Sequence, residues 1–597
     1  MSRTSTSEVL TSDDKLLCLT QEESEIPETP AETSKGVGLG ALAVAAPLLA
    51  ACGGSGGSGT GSEASGRTFS ATMGIAAAPI SDADAARFLL KAQFSASSVD
   101  IAAVKAQGYA AWLSAQYDAA IGTKAWDWLN NQGYGTMAAD RMYRQNYPAD
   151  YAIWNQLIAP HDQVRKRLCL ALSELFVAPI DSAHTWSSHL SMAYWDMLNT
   201  YVFGNYRTLL EQVTLSPNMG YFLSLIGSAK ANPVTGSQPD ENYAREIMQL
   251  FTIGLYQLNS DGTRVTDTSG NTLDTFSQSD ITNLARVFTG YQPDVSTSTS
   301  VKLSWEASPI YTYYYTRRPM ALNPKLHSPE AVSFLGVNIA ANTDGAVKLK
   351  VALDTLFNHA NTGPFFARQM IQRLVTSNPS PAYVGRVAAV FANNGSGVRG
   401  DLRAVWTAIL TDPEAIAPQD AVKGGKLREP VVRFVQWART AEVTSTNGVW
   451  SLYDMISPNA ALGQSPMRSP SVFNFFQPDY TPPNTQIAAR QQVAPEFQLL
   501  DETSTAAYLN FMLPVVQKGI RDVVPQYTTA LSVASDATAL TNWLNLRMTG
   551  NQLSANTVTT IRSALAAISA STAAGKLLRV QGGMYLVMSC PEYLIQK

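Results

Sequence analysis

Charge is scarce in this sequence. Asp, Glu, Lys and Arg supply 15% of its 597 residues and leave a formal net charge of −4, against roughly 25% charged residues in an average soluble protein. With no basic stripe there is no electrostatic footprint for nucleic acid, and with no run of Lys or Arg there is none for anionic lipid. Cysteine is scarcer: only Cys18, Cys52, Cys169 and Cys590 occur. No two have CxxC spacing, which removes the usual zinc and dithiol sites, and no CxxCH marks a haem. Cys169 and Cys590 lie in apolar helical contexts, where buried free thiols are the expectation and a disulfide between them is the alternative. The five histidines, His161, His184, His189, His327 and His359, form neither HExxH nor HxH. His184 and His189 are five apart and miss the i,i+4 spacing that puts two metal ligands on one helix face. No GxxxxGK[ST] loop and no GxGxxG before a helix occurs, so no cofactor is predicted. A GxSxG string, Gly53–Gly57, sits in a Gly/Ser tract without the strand–turn–helix setting of a nucleophile elbow.

Long apolar runs are missing too. The best, residues 37–51, is too short and Gly-rich for a membrane span of about 20 residues, and fits the apolar region of an export signal. It ends Leu49-Ala50-Ala51-Cys52, which resembles the lipobox of bacterial lipoproteins. The resemblance implies cleavage before Cys52, lipidation of that cysteine and an exported, envelope-anchored protein. Gly53 in place of aspartate implies the outer membrane over inner-membrane retention. The leader ahead of the run is long and acidic, with only Lys35 nearby, which is a departure from the usual pattern. The reading is therefore a leader over 1–51, a Gly/Ser-rich tether over 52–79 that is unable to bury a core, and a folded domain over 80–597.

That domain reads as helix after helix. Residues 163–178 place Val164, Leu168, Leu172, Leu175 and Phe176 on one stripe, the pattern of a helix packed on others. Residues 354–374, 381–392, 402–411 and 429–441 repeat the theme. Between about 255 and 340, Asp-Gly and Gly-Asn turns separate short alternating runs, which predicts a β-hairpin or two, and Ile310–Tyr315 reads as strand. Residues 457–500 are rich in Pro and aromatics and predict an irregular arm. The fold expectation is mainly α: a large multi-helix domain with a small β-hairpin insertion and that arm.

The sharpest motif is Pro239–Gly254, PDENYAREIMQLFTIG. Asp240 suits a helix start, Glu241 and Arg245 are four apart in the favourable order for an ion pair, and Gly254 suits a left-handed C-cap. The NYARE string followed by LFTIG resembles the hallmark of the bacterial domain-of-unknown-function 1800 family. Other blocks agree in order: Ala171–Val177, Asp280–Gly290, His327 before Phe334-Leu335-Gly336, Arg373–Pro379, Gly400-Asp401-Leu402, Lys426–Pro430, Pro470–Phe476 and Ala494–Phe497. One departure is Val332, where the resemblance leads one to expect a lysine. The family implies a bacterial, exported, mainly helical protein. It also implies an association with sulfatase-like proteins of the domain-of-unknown-function 1501 family as the partner.

For chemistry, the polar residues in these blocks offer two readings. Glu246, Arg245 and His327 are the candidate catalytic set, with Asn242, Arg368, Arg428 and Glu429 as binding candidates and Arg373 beside them. A carboxylate among arginines suits an anionic or sugar ligand. The same residues also describe a buried Arg–Glu network joining helices, in which removing one partner costs ~3–5 kcal/mol. Function then divides between a non-catalytic envelope component that binds a partner protein or polymer and a glycan-active or other hydrolase. A metal or redox protein lacks any ligand spacing, and the Asn259, Asp261, Asp267 group reads as turn chemistry before calcium.

Overall fold

A computed structural model describes residues 79–138, 140–417 and 424–597. The leader, the Gly/Ser tract and Cys52 lie outside the described residues. Among the latter there are 24 α-helices, while strands occur only as short antiparallel pairs. The protein is mainly α.

Local chemistry sets many helix ends. Ser81 and Asp84 form a capping box at the first helix, and Ser277 and Asp280 form another before Ile281. Asp401 accepts from the backbone N–H groups of Arg403 and Ala404, and Pro381 and Pro430 open their helices at positions where no N–H is needed. Apolar faces then meet in one core that runs from Ala85 to Tyr593 and contains the fully buried Trp112, Trp154, Trp195, Trp406 and Trp437.

Four helices frame most of the candidate site residues: α1 (Gln163–Leu175), α2 (Asn242–Glu246), α3 (Thr362–Leu374) and α4 (Pro430–Thr440). The expected stripe of α1 is buried, but so are Arg165, Lys166, Arg167 and Glu174 on its other sides. The helix is surrounded, and its polar side chains find partners: Lys166 Nζ donates to Gln156 Oε1 at 2.8 Å and to Asn199 Oδ1 at 2.9 Å. After five residues α2 widens into a π-turn over Ile247–Thr252 and stops at Gly254, whose φ of +71° is the left-handed stop expected there.

The insertion has the expected hairpins: bridges Tyr256–Asp274, Leu258–Arg264 and Thr266–Thr272, then the pair Val332–Phe334 with Val337–Ile339. Ile310–Tyr315 needs correcting. Only Ile310–Tyr311 is strand; Tyr313–Arg317 is a 3-10 turn, because the rings of Tyr313 and Tyr315 turn inward against His189 and Trp186. The arm over 457–500 is irregular, with short turns at Gln486–Ala489 and Pro495–Leu499. The C-terminal strand Ile595–Gln596 pairs with Lys426–Leu427 and so pins the segment that leads into α4. Cys169 and Cys590 are buried free thiols, so the disulfide alternative is set aside. Among the described residues no helix is long and apolar enough to cross a membrane.

Candidate ligand-binding cleft

Helix α3 presents Phe365, Arg368, Gln369, Gln372 and Arg373 to one cleft. Their spacing of i, i+3, i+4, i+7 and i+8 is a single helix face. The opposite wall is the irregular arm, through Val472, Phe473, Gln477, Pro478 and Asp479. The π-turn brings Gln249 and Leu250, the first hairpin brings Tyr256 and Arg264, and α1 contributes Glu174 at the floor. This inner lobe has a volume of about 350 Å³. An outer lobe of about 560 Å³ adjoins it and shares Gly262, Arg264, Arg368 and Asp479.

Two guanidinium groups therefore stand where the lobes meet. Neither Arg264 nor Arg368 is in an ion pair or side-chain hydrogen bond among the described residues. Arg264 lies over the Tyr256 ring, 4.4 Å from its centroid. Both arginines are exposed at the mouth of the cleft; partial desolvation and then the neighbouring Arg264 act against the charge of Arg368, and Asp479 acts for it. Such a pair is stabilised by an anion, which forms strong charge-assisted bonds with guanidinium.

Beneath the cleft floor lies a buried charged network. Lys426 Nζ is 3.4 Å from Glu429 Oε1 and 2.8 Å from Glu496 Oε1, and it donates to the Arg373 carbonyl at 2.7 Å. Gln464 Nε2 donates to Glu429 Oε2 at 2.9 Å. The carboxyl groups of Glu174 and Glu429 are electrostatic neighbours in this buried network. Burial, then the Glu429 charge, push Glu174 well above the usual carboxylate range. Burial also acts to raise Glu429, but Lys426, the interaction with Glu174 and Arg167 outweigh it and hold Glu429 low. The pair thus divides, with the Glu174 carboxyl raised and the Glu429 carboxyl lowered.

The residues singled out from the sequence divide in two. Arg368 lines both lobes, and Glu429 and Arg373 belong to the network beneath. Arg428 is buried close by and donates to Gln436 Oε1 and to the Met548 carbonyl, where it ties α4 to a second π-turn over Asn545–Thr549. Asn242, Arg245, Glu246 and His327 do not line the cleft. Asn242 is exposed at the start of α2. Arg245 pairs with Glu241 at 3.3 Å as the spacing predicted, and Glu241 also holds Gln278 and Thr282. Glu246 is buried, with burial raising its carboxyl. The Nδ1 of His327 lies 2.9 Å from the Thr289 carbonyl, inside the fold. Lys348 donates to the carbonyls of Ser328 and Glu330 beside His327. Asp261 and Asp267 accept from Thr263, Ser269 and Asn271 as turn residues, and no metal-holding cluster occurs among the described residues.

Sequence reasoning missed Glu174, Arg264, Gln369 and Gln372. The polar spacing within α3 was a usable signal for two of them; Glu174 and Arg264 reach the cleft only through the fold.

A helical protein with an arginine-lined cleft above a buried carboxyl pair is the class these features define. The chain belongs to the family described as protein of unknown function (DUF1800), whose model matches residues 87–595. No curated protein and no solved structure matches it.

Proposed function

We propose that this protein is an exported envelope component that binds an anionic segment of a polymer or partner protein in the two-lobed cleft. The observation that carries the reading is the pair Arg264 and Arg368, two unpaired guanidinium groups on one cleft flanked by Phe365 and Phe473. The export-type leader and the Leu-Ala-Ala-Cys52 string support a lipid anchor at Cys52 in the outer membrane. A sulfatase-like protein of the domain-of-unknown-function 1501 family is the proposed partner.

A hydrolytic reading has the raised carboxyl of Glu174 in its favour. Against it, glycoside hydrolysis places two carboxyl groups on either side of the scissile bond, at least ~5 Å apart. Here Glu429, the electrostatic neighbour of Glu174, is 1% exposed and does not line the cleft. The other acid on the inner lobe, Asp479, stands near Arg368 and acts for its charge, and binding is the better account.

The test is calorimetric titration of the wild type and an R264A/R368A variant with oligoglutamate and with dextran sulfate. Bonds to a charged group contribute ~1.5–3 kcal/mol each, so the variant is expected to bind at least tenfold more weakly. Equal affinity in both proteins, or no saturable binding to either polymer, overturns the proposal.

A further inference from the structure

The inner lobe of the cleft is walled by apolar side chains that reach solvent. Leu255 is 46% and Phe473 39% exposed, and Leu250, Phe365 and Val472 are half-buried on the same lobe. Single apolar groups scattered over a surface are ordinary, but five on one concave wall form a lining without a partner. The lobe's volume of about 350 Å³ is more than twice the ~150 Å³ of a cavity that holds benzene, so it has room for a large apolar group.

The exposed charges of this lobe are gathered at one end. Arg264, Arg368 and Asp479 all stand at its junction with the outer lobe, and each lines both. A ligand that matches this order carries an acid group at the junction and an apolar group reaching inward. The outer lobe, about 560 Å³ and lined further by Asp261, Thr263, Pro379 and Val493, adjoins the arginines as well and gives the ligand a second direction to follow.

These two directions narrow the choice. A fatty acid extends from its carboxylate one way only and would leave the outer lobe empty. An acidic side chain within a polymer would meet the arginines and leave the apolar lobe empty. The last residue of a peptide fills both, because one carbon bears its carboxylate, its side chain and the amide nitrogen that leads back along the chain. Asp479, present on both lobes, is an acceptor for an amide N–H of that chain.

We propose that the cleft captures the C-terminus of a partner protein whose last residue is aromatic or large and aliphatic. The terminal carboxylate lies on Arg264 and Arg368, the last side chain enters the inner lobe, and the preceding residues follow the outer lobe. This rests on the anion-binding reading above and narrows the anion to a chain terminus.

Ligand-observed NMR titration of the full chain tests it with four probes: the peptide acetyl-Gly-Gly-Ser-Phe as the free acid, the same peptide as its C-terminal amide, acetyl-Gly-Gly-Ser-Gly as the free acid, and 3-phenylpropanoate. The first is expected to bind tenfold or more tightly than each of the other three, which lack in turn the charge, the apolar side chain and the peptide chain. An F473A variant, checked for folding by its melting curve, is expected to lose most of the preference for Phe over Gly at the last position. Should it not fold, L255A takes its place, and a folded variant that keeps the full preference would overturn the inner-lobe assignment. Equal binding of the amide would overturn the terminal carboxylate. Equal binding of the Gly-ended acid would overturn the apolar last residue and leave the anion cleft standing. Equal binding of 3-phenylpropanoate would overturn the peptide and make the ligand a free apolar acid. Binding of none of the four would overturn the chain-terminus proposal, with the polymer titration then deciding the anion cleft by itself.

Discussion

Replacing Gly254 with alanine should strike the cleft through the backbone. Gly254 ends the π-turn at φ +71°, and an added Cβ would lie 2.9 Å from Cδ2 and 3.0 Å from Cε2 of the Phe365 ring. The change has two costs. Holding a non-glycine residue in the left-handed region takes ~1–2 kcal/mol. Displacing a packed ring takes typically ~1–3 kcal/mol, toward the low end here because Phe365 is only half-buried and can move into the cleft. G254A is therefore expected to lose about 2–4 kcal/mol in urea unfolding and to shift Phe365 toward the ligand space. The ring's share can be isolated with a double-mutant cycle. In an F365A background the same glycine change should cost only its backbone part, about 1–2 kcal/mol, leaving a coupling of about 1 kcal/mol or more. A G254A protein within about 0.5 kcal/mol of wild type, or an equal loss in both backgrounds, would refute the reasoning.

Two further expectations concern buried titratable groups. His189 is enclosed by Trp126, Trp186 and Tyr313, and burial pushes its imidazole down to about 3. Below its ordinary pKa near 6.5 the unfolded chain takes up a proton that the folded chain refuses. Stability from this residue is thus intact above pH 6.5 and lost as pH falls toward 3, at ~1.4 kcal/mol per unit. An H189F variant that still folds should lose ~2–3 kcal/mol less than wild type between pH 7 and 4.5; equal losses in chemical melts would count against a neutral buried imidazole. Cys169 and Cys590 have thiols that burial pushes up to about 12. In native protein both should resist a thiol-alkylating reagent and react fully after unfolding without reductant, as read by peptide mapping. Their failure to react on unfolding until reductant is added would restore the disulfide.

Elements with local causes were legible in the residues. Glu241 and Arg245 meet because four residues is about one helical turn, Gly254 stops the turn because it alone enters the left-handed region without cost, and turn residues announced the hairpins. Tyr313–Arg317 went astray because its tyrosines have strand propensity by type, while burial against His189 and Trp186 decides their backbone. Glu174 and Glu246 show the same limit for function. Both are glutamates in apolar helical stretches, and no local pattern separates them.

Contacts across hundreds of residues do separate them. Glu174 is the electrostatic neighbour of Glu429, which is fixed by Lys426 and by the C-terminal strand, and it faces a cleft closed by an arm near residue 475. Glu246 has no comparable company, so burial alone raises its carboxyl against the weak pull of Arg245. Helices, their caps and the turns depend on neighbours within a few positions, and the order of amino acids is enough to specify them. Which charges are paired, which face the cleft and which carboxyls are raised are settled by the folded chain alone, because burial and electrostatic interaction depend on distance in space.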